Sequence, residues 1–215
     1  MMVPNLAEAN QVRRTMRKTR IALLSTLSDM HTQPIHYDLA ALAAIVKRIN
    51  PDLLGVELPR ADWEASRLDQ APLEVRHSLL PLAELSDVVA VPLAPDIRQF
   101  NDFAPRTGWR AGLARQLDWA LQWAQRMANN AEAIHALPFE SVCHTLCHLN
   151  EMSWDAEARR AWEEQNQAML SNILQAARRD PGRRMLVAVQ CQRVHWLKPR
   201  LKKVPDIELV EYREL

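Results

Sequence analysis

The sequence predicts an α/β fold: a mostly parallel sheet flanked by helices, with a helical insertion between the third and fourth strands. Short apolar runs recur along the chain, as in strands buried on both faces, and segments with helical spacing separate them. The length of 215 residues suits one domain with a sizeable core, and 48% hydrophobic and 25% charged residues are ordinary globular values. We therefore expect a single domain over residues 1–215, with the insertion at about 97–180.

The first two predicted strands and the helix between them form a βαβ unit. The apolar run IALLST at 21–26 predicts a strand, and Asp38 is placed to cap the helix that follows. Asn50-Pro51 ends that helix, and LLGVEL at 53–58 predicts the second strand. The apolar positions at helical spacing are Leu39, Leu42, Ala43, Val46 and Ile49. Strands joined by such a crossover are parallel.

Further apolar runs complete the predicted sheet. They lie at 87–93 (DVVAVPL), 185–190 (MLVAVQ) and 206–212 (DIELVEY). The pattern from about 96 to 180 is helical throughout, and a short helix at about 193–203 precedes the last strand.

The segment 110–128 is apolar on two sides when it is wound as a helix. One stripe consists of leucines and alanines, and the second consists of Trp119, Trp123 and Met127. A helix of this kind usually packs between partners. We expect these tryptophans, together with Trp154 and Trp162, to fill a core or a subunit interface, and the second alternative implies a homo-oligomer.

Composition excludes several classes of protein. The four glycines cannot form a dinucleotide-binding or Walker loop. The 27 basic and 26 acidic residues nearly cancel, so the net charge gives no reason to expect nucleic-acid binding. Three cysteines are too few for a disulfide framework. The first 20 residues hold no apolar core of signal-peptide length, and no apolar run approaches the roughly 20 residues that span a bilayer. We expect a cytoplasmic protein without nucleic-acid or membrane partners.

Polar side chains follow each predicted strand, at the edge where open parallel sheets bind ligands. They are Ser25, Thr26 and Ser28 after the first strand, Glu57 and Arg60 after the second, Asp96 after the third, and Cys191, Gln192, Arg193 and His195 after the fourth. Glu57 ends a buried strand, where an unpaired charge is costly. It needs a metal, a cationic partner or hydrogen-bond donors. An ion pair with Arg60, or a capping role for the next helix, is the structural alternative.

Three segments, in this order, resemble the TraB/Tiki-like family, which is related to the erythromycin-esterase-like and the ChaN-like haem-uptake proteins. Residues 20–63 include LLSTLS and then INPDLLGVELPR, similar to the family's opening strand, G-T-x-H motif, helix and strand ending in a glutamate. The strand at 87–96 and the stretch 160–213, with EEQNQAMLSNIL, MLVAVQ and DIELVEY, complete the resemblance.

The resemblance implies an α/β fold with hydrolysis or binding built on two G-x-x-H histidines and the strand-end glutamate. Tiki-type members are proposed metal-dependent proteases, erythromycin-esterase-like members cleave an ester, and ChaN-like members bind haem. Glu57 matches the glutamate and His195 the second histidine, with Gln192 at its glycine position (or Val194, if the motif is shifted by one). The chain departs from the first motif, which reads Ser25-Thr26-Leu27-Ser28, and has Gln165 where the family usually has an arginine.

Two hydrolytic chemistries remain compatible with these residues. His195 would act as general base, with Glu57 orienting it or polarising water. Alternatively, Ser25 or Ser28 would be a nucleophile activated by His195, with Glu57 or Asp96 as the third group. Both make the protein a hydrolase that acts on a small-molecule or peptide-like substrate. The alternative is a non-catalytic ligand-binding, haem-binding or interaction protein that retains the fold. Arg60, Asp96 and Arg193 are the candidate ligand-binding side chains.

The segment 139–151, FESVCHTLCHLNE, is the densest cluster of metal-ligand types. On a helix, Glu140, His144, His148 and Glu151 fall within an arc of roughly 80°. Histidines four residues apart can share a divalent metal, so His144 and His148 join Glu57 and His195 as candidate ligands. Haem is the less favoured cofactor.

The structural alternative for this helix is a polar face with two half-buried cysteines beside it. The opposite side, with Phe139, Val142, Leu146 and Leu149, is predicted to face the core. The loop histidines His31 and His36 are either surface residues or replacements for the missing motif histidine.

Overall fold

The computed structural model describes residues 18–69, 71–96, 107–128 and 130–215. Within them, five strands form one sheet in the order β3-β2-β4-β1-β5, and all neighbouring strands pair in parallel. The strands are β1 (Thr19–Thr26), β2 (Leu53–Pro59), β3 (Val89–Ala94), β4 (Arg184–Gln190) and β5 (Ile207–Val210). The predicted α/β fold with a parallel sheet is confirmed.

Helices cover both faces of this sheet. In the described ranges the α-helices are α1 (Leu39–Ile49), α2 (Arg60–Glu64), α3 (Leu80–Glu84), α4 (Gly108–Met127), α5 (Ala131–His135), α6 (Phe139–Ser153), α7 (Ala156–Arg179) and α8 (Cys191–Leu201). A 3-10 turn at Ser28–Thr32 follows β1, and a π-helical turn at Val75–Leu79 precedes α3. Helices α4 to α7 lie between β3 and β4 in the chain. Residues 97–106, the predicted start of the insertion, lie outside the described residues.

The ends of α1 follow from local chemistry, as predicted. The Asp38 carboxylate accepts a hydrogen bond of 2.8 Å from the Ala41 backbone N–H, which satisfies one of the unpaired donors of the first turn. Asn50 ends the helix in the left-handed conformation, at φ 46°, which asparagine tolerates better than most residues. Pro51 then prevents continuation of the helix.

The connections that follow β1 and β4 leave the sheet on opposite faces. Leu42 of α1 packs in one core cluster with Leu24 and Leu54. Leu197 of α8 packs in the other, with Met169 and Val187. Because β1 and β4 are neighbours, the chain diverges above their carboxyl ends, and this divergence opens a crevice at that edge.

The buried face of α6 differs from the predicted one. Val142 and Leu149 were expected to face the core, but they are 45% and 42% exposed, whereas Cys143 and Cys147 are 2% and 1% exposed. The buried side of the helix is therefore shifted toward the cysteines, while Phe139 and Leu146 of the predicted face are half-buried. The reason is that α6 packs against α4 and α8 along its cysteines.

Helix α4 packs on one side only. Its alanines Ala114 and Ala124 are buried, while Trp119 and Trp123 of the second apolar stripe are 63% and 55% exposed. Among the described residues the second stripe is not covered, and the subunit interface predicted as the alternative stays a prediction. Trp154 and Trp162, in contrast, are buried and in contact at 5.6 Å between ring centroids, as expected of core residues.

Candidate functional site

A cleft of about 360 Å³ lies at the carboxyl ends of β1 and β4. The segment after β1 and the first residues of α8 form two of its sides, and the middle of α4 forms the third. Its lining consists of Thr26, Leu27, Ser28, Asp29, Met30, Gln33, Asp118, Leu121, Gln122, Gln125, Arg126, Gln190, Cys191 and Gln192. Five of these fourteen side chains are glutamines, so primary amides dominate its polar surface.

Gln190 connects this cleft to the predicted acidic site. Its side-chain Nε2 donates a 2.8 Å hydrogen bond to Ser28 Oγ, and its backbone N–H donates a 3.1 Å bond to Glu57 Oε2. Ser28 has φ 50°, in the left-handed region that favours glycine. Strained backbone of this kind concentrates at binding and catalytic sites. Gln190 is therefore held from two sides at the wall of the cleft.

The Glu57 carboxylate forms a buried ion pair with the Arg193 guanidinium, in which Nε donates to Oε1. The remaining nitrogens of Arg193 donate to Asn166 Oδ1 at 3.0 Å and to Gln165 Oε1 at 3.3 Å. The guanidinium also lies 4.8 Å from the centre of the Trp162 ring. Arg193, and not Arg60, thus supplies the cation that Glu57 requires. Gln165 accepts one of the hydrogen bonds that hold this arginine in place.

His195 lies on another side of α8. It follows Arg193 by two positions, which is about 200° around a helix, and its ring centroid is 5.0 Å from that of His144. Burial, and next the nearby His144, lower the pKa of His195 to about 4, so the ring is neutral at pH 7. Among the described contacts no hydrogen bond joins His195 to Glu57. The two residues that the resemblance assigns to one centre are not brought into contact.

Ser25 and the loop histidine His31 have structural partners. The Ser25 backbone N–H donates to His135 Nε2 at 3.2 Å, and the Ser25 carbonyl accepts from the Tyr37 hydroxyl at 2.9 Å. His31 accepts from the Leu27 N–H at 2.9 Å through Nε2 and contacts the Tyr37 carbonyl at 2.8 Å through Nδ1. These bonds require a neutral ring that donates from Nδ1, and burial lowers the pKa of His31 accordingly. His31 therefore anchors its own loop.

The other predicted ligand-binding residues lie outside the cleft lining. Asp96 Oδ1 accepts a 2.9 Å hydrogen bond from the Ala61 backbone N–H and so caps α2. Arg60 is the exposed first residue of that helix, and His36 is exposed in the loop before α1. Neither Asp96 nor Arg60 is brought to Ser28 or His195.

The predicted metal ligands are not gathered into one site, although His144 and His195 lie side by side. In the part of the chain that the structure describes, no group of three or more histidine, cysteine, aspartate or glutamate side chains is placed to hold one. Glu57 faces the cationic Arg193, and His148 is exposed beside Glu151. The Glu57 carboxylate is therefore already neutralised by a cation of the protein itself.

Sequence reasoning missed the contributions of α4. Gln125 is buried and donates a 3.0 Å hydrogen bond from Nε2 to Cys191 Sγ, while Gln122 donates at 2.9 Å to Asp118. Gln125 follows Leu121 by four residues, on the side of α4 that was predicted to be buried. A single amide side chain on an otherwise apolar helix face was the sequence signal that could have identified this contribution.

The fold and the cleft define a parallel, doubly wound α/β protein with a crevice at its topological switch point. Comparison of the chain with protein-family models, with curated proteins and with solved structures returns no match. Among the helices described, none is both long and apolar enough to cross a membrane.

Proposed function

We propose that the protein binds a small, uncharged, polar molecule in the cleft at the ends of β1 and β4. One observation carries this proposal: the cleft lies at the switch point of the sheet, and its deeper polar groups are amides, the hydroxyls of Thr26 and Ser28 and the thiol of Cys191. An amide donates and accepts hydrogen bonds at once, which suits a ligand rich in hydroxyl or amide groups. The charged lining residues Asp29, Asp118 and Arg126 are exposed and of both signs, so no single ligand charge is favoured.

Binding is better supported than hydrolysis at Glu57 and His195. The Glu57 carboxylate already has Arg193 and the Gln190 N–H as partners. The Ser28 hydroxyl is in contact with Gln190, and among the described hydrogen bonds none connects it to a histidine that could act as base. The hydrolase remains a prediction of the TraB/Tiki-like resemblance, and descent from that family remains part of the proposal, supported by the segment order and Glu57. A homo-oligomer also stays a prediction.

Thermal unfolding in the presence of neutral probes tests the proposal. Suitable probes are myo-inositol, glucose, nicotinamide, adenosine and uridine, and titration calorimetry then measures the affinity of any that stabilise. A ligand at a hundred times its Kd should stabilise the fold by about 2.7 kcal/mol. Its affinity should be the same at low and high salt, because the ligand carries no charge.

Two matched variants locate the binding. Gln190→Ala removes the amide that contacts Ser28 but keeps the backbone donor to Glu57, and we expect a loss of affinity of about tenfold for one lost hydrogen bond. Gln175→Ala, an exposed position on α7, should leave the affinity unchanged. Failure of every probe to stabilise the protein, or equal affinities in both variants, would contradict the proposal. Ester or peptide hydrolysis that disappears in Glu57→Gln would favour the hydrolase instead.

A further inference from the structure

Three buried thiols meet beside the cleft. Cys143 and Cys147 lie one turn apart on α6, and Cys191 is the first residue of α8 and lines the cleft. All three are free, and a hydrogen bond joins the side chains of Cys147 and Cys191. Sulfur atoms from two separate helices are thus hydrogen-bond partners, and one of them, that of Cys191, belongs to a residue that lines a cavity. This arrangement is suited to disulfide formation.

Cys191 has the surroundings of a reactive thiolate. Its sulfur receives a hydrogen bond from Cys147 and a 3.0 Å bond from Gln125 Nε2, and it lies at the amino end of an 11-residue helix. These donors, with that of Cys147 foremost, lower the pKa of Cys191. The same contact and burial raise the pKa of Cys147, which therefore keeps its proton. Cys191 is therefore the more acidic of the two thiols.

Access to solvent also distinguishes the two sulfurs. Both residues are buried, with Cys191 6% and Cys147 1% exposed, but only Cys191 contributes to the cleft wall. A small molecule that enters the cleft reaches Cys191 first. Because Cys147 is buried behind the cleft wall, it can then react only with the modified sulfur of Cys191.

We propose that Cys191 is an oxidation site for small hydroperoxides and that Cys147 converts the product into a disulfide. The Cys191 thiolate attacks one peroxide oxygen, an S–O bond forms, the O–O bond breaks, and the leaving alkoxide takes up a proton from water. The Cys147 sulfur then attacks the sulfenic acid at Cys191, and water leaves with the proton of Cys147. In total two thiols lose two electrons, and the hydroperoxide becomes an alcohol and water.

The disulfide would change the cleft. Oxidation changes the Cys191 sulfur that accepts the hydrogen bond from Gln125 and links α6 covalently to α8. This chemistry does not depend on the proposed ligand, because it needs only the two sulfurs and access from the cleft. Reduction by a dithiol restores the original state.

Mass mapping of the full chain after peroxide treatment tests the proposal. Reduced protein is exposed to hydrogen peroxide or cumene hydroperoxide, and its free thiols are then counted. We expect two of the three thiols to be lost together, with a Cys147–Cys191 peptide recovered without reductant. The reaction should be about tenfold or more faster than that of glutathione at the same pH. Cys147→Ser should accumulate sulfenic acid at Cys191, trapped by dimedone.

Cys143→Ser is the matched control, since it removes a neighbouring buried thiol and should leave the rate and the disulfide unchanged. Circular dichroism verifies that each variant is folded. The proposal is overturned if folded protein keeps three thiols under peroxide. It is equally overturned if the disulfide contains Cys143 or joins two chains, or if Cys191→Ser still loses its thiols at the original rate.

Discussion

At the residue scale, the Glu57–Arg193 pair dominates the energetics of the sheet edge. Both charged groups are buried, and burial of each costs several kcal/mol unless partners replace the lost water. Asn166 and Gln165 accept the remaining hydrogen bonds of the Arg193 guanidinium. The Gln190 N–H donates to the second oxygen of the Glu57 carboxylate. The network joins β2, β4, α7 and α8, so its loss should affect the whole edge.

We expect Glu57→Gln to lower the free energy of unfolding by about 3–5 kcal/mol, because it leaves the Arg193 charge buried without a counter-ion. Arg193→Met should cost a similar amount, and the double variant should cost less than the sum of the two. Urea unfolding measures all three. Asp206→Asn removes the exposed partner of Arg178 and should change little. A fully stable Glu57→Gln protein would contradict this account of the pair.

Two half-buried histidines predict the response to acid. Burial lowers the pKa of His135 to about 4, and His195 has a similar value. The unfolded chain, with histidine near 6.5, binds more protons between these values, so stability falls as the pH drops from about 6.5 to about 4. The slope per histidine should approach about 1.4 kcal/mol per pH unit.

His135→Asn should remove the contribution of one histidine from the dependence of unfolding free energy on pH. Urea unfolding at several pH values measures this change. The exposed His36 is the control, since His36→Asn should leave the slope unchanged. A stability that stays constant from pH 7 to pH 4 would show that these rings are protonated in the folded protein.

At the scale of elements, close packing between strands explains one glycine. Gly55 lies in the middle of β2, paired with Val91 and Val187. A Cβ atom there would overlap Leu93 Cδ1 and come within 3.2 Å of Met185 Cε. Both side chains are fully buried and have little space to move. The sheet therefore depends on the absence of a side chain at this position.

We expect Gly55→Ala to destabilise the protein by about 1–3 kcal/mol through overpacking. Gly112 supplies a matched control within helix α4, where an added Cβ meets no atom within 4 Å. Gly112→Ala should stabilise by about 0.5–1 kcal/mol, since alanine favours the helix. Thermal or urea unfolding distinguishes the two changes, and equal effects of the same sign would contradict the packing argument.

At the scale of the whole molecule, the sequence predicted the strands but not their neighbours. Apolar runs such as LLGVEL locate β2 because a strand buried on both faces has no polar alternation. Strand order is a tertiary property, and it decides that β4 lies between β2 and β1. This order brings Arg193 to Glu57 across 136 positions of the chain. Glu57 was recognised as requiring a partner, whereas the identity of that partner could not be read from local pattern.

Only the part of the cleft that is formed by strand ends could be predicted from the sequence. The strand-end residues Thr26, Ser28, Cys191 and Gln192 were expected at one edge and do line one cleft. The wall from α4 depends on how that helix packs, which its two apolar stripes left open. His195 was expected at the same edge as Arg193, but two positions along a helix turn a side chain by about 200°, so His195 lies on another side of α8.

The central claim is that ligand binding belongs to the switch-point cleft, while Glu57 and Arg193 stabilise the fold. The most direct test is a two-dimensional amide NMR titration of the labelled protein with the neutral probes named above. We predict that the shifted signals cluster at Ser28, Gln125 and Gln190, around the cleft. Shifts that centre on His144 and His195 and spare the cleft would contradict the claim.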